Sequence, residues 1–584
     1  MLKLLSRLTG ALRSMYFADA DSPRTIAYQL EEHARGPNAE RVFLLFRDKR
    51  FTYAEANRRI NRYASAYQGL GLTRGDTVAL MMENRPEYLW HFLAAGKLGV
   101  RISLINPQNG GEPLVHALSI AKPKCTVVGA EVAHRYAQIA PLLGDARAYH
   151  EDDPYKQAEP SNLPAWAPLI EAASEQDPAT TGQQRLGDIA AYIYTSGTTG
   201  LPKAALVSHQ RMFGFGQAVG GLGLLLDRGD VLYNCLPLYH TNSIGVALSS
   251  VVTWGSTMAL ARKFSATRFW DDVRATRSTT FVYIGELCRY LMSQEPKPND
   301  SDNGIRAITG NGLRADVWPE FQKRFGIERV AEFYGSTEGN IGTLNFDGTV
   351  GSVGRLLAGV LVKYDNERDE FVRGKNGWLV KCKPGEPGVL LGRISKRQLF
   401  NGYQDASATE RKVIRNAFKT GDAYFNTGDM LRMDRLRRLY FVDRMGDSFR
   451  WKGENVSTLE VQEQLSSWPP AAIANVYGVN VQGAEGRAGM ASLVLKDGES
   501  FDPKAFREHV DSSLPPYARP LFVRIQKELE STSTFKLKKV ALQDENFDPN
   551  RVSDPVYFRD PTSGDYTAMT QSLYDDVVNG RLRL

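Results

Sequence analysis

Residues 194–204 read YTSGTTGLPKA, a run in which hydroxyls, glycines and one lysine stand together with almost no bulky side chain between them. Such a run suits a polyphosphate. Thr195, Ser196, Thr198 and Thr199 offer O–H donors, Gly197 and Gly200 let backbone N–H groups approach phosphate oxygens, and Lys203 supplies a mobile positive charge. The preceding residues 189–193, IAAYI, are apolar enough to form a buried strand that delivers the loop to a sheet edge. The Walker phosphate loop is a different object, because it needs four residues between its glycines and a lysine directly after the second. Here only Thr198 and Thr199 separate the glycines, and Leu201 and Pro202 precede Lys203. A plain surface turn needs one or two such residues rather than a dense run.

With 584 residues and 42% hydrophobic content, the chain exceeds what one core usually supports, so at least two domains are expected. The 72 basic and 66 acidic residues leave a net charge of +6, too balanced for nucleic acid as the main partner. A mildly basic surface suits anionic ligands and lipid headgroups alike. Cys125, Cys235, Cys288 and Cys382 form no CxxC pair, which argues against a zinc site and a disulfide framework and for a reducing, cytoplasmic setting. No run of 18 apolar residues predicts a membrane-spanning helix. Residues 1–13, MLKLLSRLTGALR, put Leu4, Leu5, Leu8 and Leu12 on one helical face with Lys3 and Arg7 opposite. Two readings stay open for this segment: peripheral docking on the inner face of a membrane, or a lead-in helix packed on the protein itself.

Helical spacing over residues 51–71 and 86–99 alternates with apolar strands at 76–82 and 100–105, the pattern of a mostly parallel sheet covered by helices. It continues with strands at 306–309 and 329–333 around a helix at 315–325, giving one large α/β unit to about Val442. A strand at 439–442, a polar crossing at 443–447, a helix at 458–465 and a strand at 472–479 then predict a smaller α+β segment. Gly446 is the expected boundary, dividing the chain into 1–445 and 446–584.

Residues 333–339, FYGSTEG, close a predicted parallel strand at its carboxyl end, where ligands bind in such sheets. Tyr334 suits a base, Ser336 and Thr337 a phosphate or carbonyl, and Glu338 a Mg²⁺ ion held against phosphate oxygens. Upstream, GNGLRA at 310–315 with Glu332 beyond it makes a passable dinucleotide fingerprint, with Glu332 on a ribose hydroxyl. A dehydrogenase is therefore an alternative, although it leaves YTSGTTGLPKA unexplained. Asp429, in NTGD, offers acceptors for vicinal ribose hydroxyls, and Arg444, Lys452 and Gly453 lie in the following DRMGDSFRWKGEN. His240, in LPLYHTN, is either a gate at an apolar cavity or a satisfied core histidine. Lys536 follows a short polar turn in STSTFKLKK, a stretch that reads by itself as charged surface.

Taken in order, YTSGTTGLPKA, LPLYH, FYGSTEG, NTGD and DRMGDSFRWKGEN resemble the adenylate-forming superfamily of acyl-CoA synthetases, luciferases and peptide-synthetase adenylation domains. The closer likeness is to the fatty-acid transport protein and very-long-chain acyl-CoA synthetase branch. It is seen in AYIYTSGTTGLPKAA, MENRPEYLWHFLAAGKLG, GNGLRADVW, DRMGDSFRWKGENVST and the closing DPVYFRDPTSGDYTAMTQSLYDDVVNGRLRL, and so covers nearly the whole chain.

The resemblance implies a large N-terminal domain with mostly parallel sheets and a β-barrel-like part, and a small mobile α+β C-terminal domain. It implies ATP, Mg²⁺ and CoA, with a carboxylate attacking the α-phosphate to give an acyl-adenylate before thiolate displaces AMP. By the same resemblance, residues 195–203 hold the β and γ phosphates, Glu338 binds Mg²⁺ and Thr337 touches the α-phosphate. Asn311, Gly312, Phe333, Tyr334 and Gly335 enclose adenine, while Asp429 and Arg444 hold the ribose. Lys536 matches the catalytic lysine, although Phe535 stands where many relatives carry glycine. Gly446 sits at the hinge, where aspartate or lysine is common, and the loop at Lys452 and Gly453 serves the CoA channel. A long-chain fatty acid is the substrate the branch implies; bile-acid-like, carnitine-like and aromatic carboxylates stay open, as does a lipid-binding protein without catalysis. The segments 244–252 and 281–291 are expected walls of the acyl pocket, and a homodimer is left open.

Overall fold

Buried strands and apolar-faced helices alternate through residues 42–344 and build two sheets. Five strands of the first run parallel in the order Ala148–Glu151, Cys125–Gly129, Thr77–Met81, Arg101–Ile105 and Ile189–Thr195, and Lys203–Ser208 joins the last antiparallel. The second runs in the order Gly342–Leu344, Arg329–Gly335, Ala307–Asn311, Thr280–Ile284, Val231–Asn234, Thr257–Leu260, Val42–Phe46 and Lys49–Thr52, with only the two outermost pairs antiparallel. The computed structural model describes residues 19–582, apart from 145–146, 157–160, 196–200, 366–367, 396–397, 446, 452–453, 483–485 and 530–538. The N-terminal segment 1–13 therefore lies outside the described residues. The chain divides into two units, Met1–Arg355 with Ile394–Val413 and Leu356–Arg393 with Ile414–Leu584.

Local chemistry explains the helices of the first unit. Thr52 caps Tyr53–Gly69 reciprocally with Glu55, so the helix starts two residues inside the predicted 51–71 segment. Pro86 opens Pro86–Leu98, whose nearly all-round burial matches its apolar sequence, and Gly99 ends it with φ 70° in the left-handed region. The strand expected at 306–309 runs on to Asn311, and that expected at 329–333 runs to Gly335 because Gly342 pairs with it across a hairpin. Pairing of this kind depends on chain return and has no local signature.

In the second unit, the part expected to be barrel-like is an antiparallel sheet of Val360–Val362, Pro387–Arg393, Ala423–Met433 and Arg438–Arg444. Among the described residues it is open rather than closed. Beyond it, Ala471–Asn480, Arg487–Leu495, Phe522–Gln526, Val556–Arg559 and Tyr566–Ala568 form a separate sheet, antiparallel except between the second and third strands. Thr458–Ser466 and Pro503–Ser513 bury apolar faces in a core of their own with Trp468 and Phe506 in contact. No helix among the described residues is long and apolar enough to cross a membrane.

Candidate active site

Thr195 and Lys203 stand opposite each other where the Ile189–Thr195 and Lys203–Ser208 strands end and begin. Ser196, Gly197, Thr198, Thr199 and Gly200, the centre of the loop, lie outside the described residues. Residues 402–404 run beside the hairpin: Gly402 accepts from Leu206 N at 2.9 Å, and Gln404 N donates to Ala204 at 2.9 Å. This packing brings the Tyr403 phenol to hydrogen-bond Glu338 and Thr195, and burial together with the Glu338 charge pushes its pKa above the usual tyrosine range. Three residues far apart in sequence thus meet at one phenol, with Thr195 and Glu338 joined through Tyr403.

The FYGSTEG turn is held from below. Arg211, on the His209–Phe215 helix that Ser208 caps, donates through its two terminal nitrogens to the main-chain carbonyls of Ser336 and Gly339. Burial pulls the Arg211 pKa down to about 10, opposed by the charge of Glu338, so the guanidinium stays charged at neutral pH. Thr337 shares a hydrogen bond with Thr241 at 3.0 Å, and Asn242 Nδ2 donates to Asn311 Oδ1 at 2.6 Å. Both partners belong to the first turn of an eight-residue π-helix, Thr241–Leu248, capped by His240. The His240 ring lies 4.2 Å from that of Tyr239, and its carbonyl accepts from Ser243 N and Ile244 N. Phe333 packs with Val219 and Val246, and Tyr334 is 9% exposed. Of the expected acyl walls, Ile244–Leu248 and Phe281–Tyr283 are buried in the core.

Gly312 takes φ 85°, and its N–H, with that of Leu313, donates to Glu332 Oε1 while the Tyr283 hydroxyl donates to Oε2. Glu332 is therefore not the ribose acceptor that the dinucleotide fingerprint requires: its carboxyl is buried at 2% exposure and committed to three protein donors. A Cβ on Gly285, which follows the neighbouring strand, would overlap the Gly312 carbonyl, so the two strand ends touch backbone to backbone. Burial raises the Glu332 carboxyl from 4.5 to about 8, against the opposing pull of its Tyr283, Leu313 and Gly312 bonds. Between those values the folded chain binds a proton that the unfolded chain lacks, so its contribution makes stability fall with rising pH, by about 1.4 kcal/mol per unit. Glu332→Gln is expected to flatten that slope between pH 5 and 8, which thermal melts of the two proteins in matched buffers check.

In the second unit, Asp429 and Arg444 are cross-strand partners, Nε to Oδ1 3.7 Å, with Asp429 the more buried. The neighbouring Asp443 is buried and accepts from Thr458 N at 2.7 Å and Ser448 Oγ at 2.9 Å; burial raises its pKa, opposed first by Lys539. Gly446, Lys452, Gly453 and Lys536 lie outside the described residues. Arg211, Thr241, Asn242 and Tyr403 are site residues that motif reading missed; the closeness of Arg211 to Lys203 in sequence, and the place of Thr241 and Asn242 directly after His240 in LPLYHTN, were usable signals.

Hard oxygen donors around a carboxylate suit Mg²⁺, and Glu338 has the Tyr403 hydroxyl on it, with the Thr195 hydroxyl bonded to that tyrosine in turn. The Ser336 hydroxyl is buried with no partner among the described residues, as fits a donor awaiting a phosphate oxygen.

Residues 30–404 match the AMP-binding enzyme family and residues 460–536 the AMP-binding enzyme C-terminal domain; the chain belongs to this family of adenylate-forming enzymes. Long-chain fatty acid transport protein 2 of Rattus norvegicus is 40% identical over 582 residues, covering 96% of this chain and 92% of the relative. The medium/long-chain-fatty-acid–CoA ligase FadD6 of Mycobacterium tuberculosis is 41% identical, covering 89% and 85%. Among solved structures, ATP-bound MatB from Rhodopseudomonas palustris superposes with a TM-score of 0.74 at 23% identity, covering 89% of this chain and 98% of that one.

Proposed function

We propose that this chain is an ATP-dependent ligase that joins long- or very-long-chain fatty acids to CoA through an acyl-adenylate, releasing AMP and pyrophosphate, and that ligation is coupled to fatty-acid uptake. The observation that carries the reading is the meeting of Thr195, Thr337, Glu338, Tyr403 and Arg211 in one cluster at strand ends. Relatives at 37–41% identity named long-chain fatty acid transport proteins and a medium/long-chain-fatty-acid–CoA ligase support the acyl chain length and the link to uptake.

A carboxylate is a poor electrophile, so its oxygen must first bond to the α-phosphorus while pyrophosphate leaves; CoA thiolate then attacks the acyl carbon and AMP leaves. In this reading residues 195–203 hold the departing phosphates. Thr337, steadied by Thr241, donates to the α-phosphate, and Ser336 donates beside it. Asn311, Gly312, Phe333, Tyr334 and Gly335 form the adenine slot. Asp429 accepts from the ribose hydroxyls with Arg444 beside it, Lys536 is the catalytic cation, and His240 gates the acyl side. Mg²⁺, when bound through Glu338, neutralises phosphate charge. Residues 446–584 act as the mobile part, turning about Gly446 so that Lys452 and Gly453 meet CoA. The segment 1–13 docks peripherally on the cytoplasmic face of a membrane.

The test is a carboxylate panel from short to very long chains, scored by AMP release with and without CoA. Maximal CoA-dependent AMP release with long chains supports the reading; a preference for aromatic or bile-acid-like carboxylates moves the substrate. Fatty-acid binding with no AMP leaves a lipid-binding protein, and a thermal shift with NAD but none with ATP and Mg²⁺ favours the dehydrogenase.

Arg211 tests the cluster directly. Two carbonyls flanking Thr337 and Glu338 are fixed by one planar fork, a geometry that lysine cannot copy. Arg211→Met is expected to lower kcat/KM for ATP about 10²-fold, as misplacement near 1 Å does, with the KM for fatty acid little changed. Arg211→Lys should recover part of the loss, and equal effects on both substrates would count against a positioning role.

A further inference from the structure

One end of the antiparallel sheet in the second unit carries an exposed surface that the ligation reading does not use. The turn between Ala423–Met433 and Arg438–Arg444 is locked from within: Asp434 accepts from Leu436 N at 2.8 Å, Arg438 N at 2.9 Å and Arg438 Nε at 2.9 Å. Arg437 takes φ 62°. The locked turn pushes Leu436 outward, leaving it 56% exposed between exposed Arg435 and Arg437.

Two more segments are tied to it. Leu356 N donates to the Arg437 carbonyl at 2.9 Å and Arg437 Nε returns to the Leu356 carbonyl at 2.8 Å, which fixes Leu357 alongside at 76% exposure. Gly385 N donates to the Met433 carbonyl at 2.8 Å, which brings the exposed Lys383 and Pro384 to the same end. The carboxylates present are already engaged, Asp434 by Arg438 and Glu386 by Lys363. Lys383, Arg432 and Arg435 are exposed around the two leucines.

We infer that this end of the sheet, with Leu357 and Leu436 at its tip and Lys383, Arg432 and Arg435 around them, docks on a bilayer bearing anionic headgroups. Rigidly held leucines that face water gain by entering the acyl boundary, and nearby cations are drawn to an anionic surface. A second copy of this chain fits less well. A two-fold contact would set these like charges against their own counterparts, and two leucines fall far short of the roughly 800 Å² per partner that stable dimers bury. The tip stands on the order of 15–20 Å along the hairpin from Asp429 and Arg444, so docking leaves that pair uncovered. The inference rests on the fatty-acid reading for its purpose, because a long-chain acid partitions into the same bilayer, but its test does not.

The 584-residue chain is sedimented with vesicles of phosphatidylcholine alone and with 30 to 50 parts in a hundred phosphatidylglycerol, at low and at physiological salt. Wild type is expected to partition onto the anionic vesicles, more weakly at higher salt, and Leu357→Glu with Leu436→Glu to lower that partition about tenfold or more. Arg435→Glu alone, at an exposed turn position, should lower it severalfold and serves if the double variant fails to fold. AMP release with octanoate, a soluble carboxylate, reads ligation separately and should match wild type in all variants. No vesicle binding by wild type, unchanged binding by both variants, or loss of a dimer without loss of vesicle binding would each overturn the inference.

Discussion

Lys536→Ala is expected to slow acyl-adenylate formation by about 10²–10³-fold, the usual cost of removing one preorganised donor from a site where charge develops, while thioester formation from supplied acyl-AMP changes little. Negative charge builds on the α-phosphate as the carboxylate oxygen bonds to it, and a cation bridging the two groups gains strength at that moment. Lys539, three residues on, is not a substitute: its amine donates to Thr458 Oγ1 at 2.9 Å and lies 3.3 Å from Asp447. The family match in the C-terminal part also runs as far as Lys536. Pyrophosphate exchange and single-turnover conversion of acyl-AMP separate the half-reactions. Equal loss in both, or full activity in Lys536→Ala with loss in Lys538→Ala, would remove the assignment.

Gly446→Pro should have the opposite signature, with pyrophosphate exchange largely intact and CoA turnover reduced on the order of 10²-fold. Position 446 is flanked by fixed backbone. Met445 N donates to the Gly428 carbonyl at 2.8 Å and Asp447 N to the Arg444 carbonyl at 3.1 Å, while buried Asp443 gathers Ser448 and Thr458. In the proposed reading a rotation between the half-reactions is absorbed by few torsions here, and proline fixes φ where glycine leaves it open. Normal CoA turnover in the variant would place the pivot elsewhere.

Much of the scaffold was legible because its strands are short apolar runs between helices with capping and stop signals. Pro86 and Gly99 mark one helix, and Thr52 with Glu55 another. The neighbourhood of the site was legible in STE, whose Thr337 and Glu338 find partners in Thr241 and Tyr403, and where two motif residues fall opposite each other, as Asp429 and Arg444 do; the centre of residues 195–203 lies outside the described residues. It was illegible where a side chain arrives from afar. Nothing around Tyr403 or Thr241 announces that they meet Glu338 and Thr337, because helix packing and strand pairing bring them there. Glu332 was misread in the dinucleotide alternative for a related reason: a short glycine-rich pattern does not say whether a later carboxylate faces a ligand or the protein's own N–H groups.

The backbone contact of Gly285 with Gly312 turns one position into a gauge for the whole family. Any relative bearing a side chain at the position of Gly285 must hold its equivalent of the Gly312 loop farther from the neighbouring strand, since no rotamer relieves an overlap that begins at Cβ. A single residue, absent from every motif, therefore reports how wide the slot between these strand ends has been set.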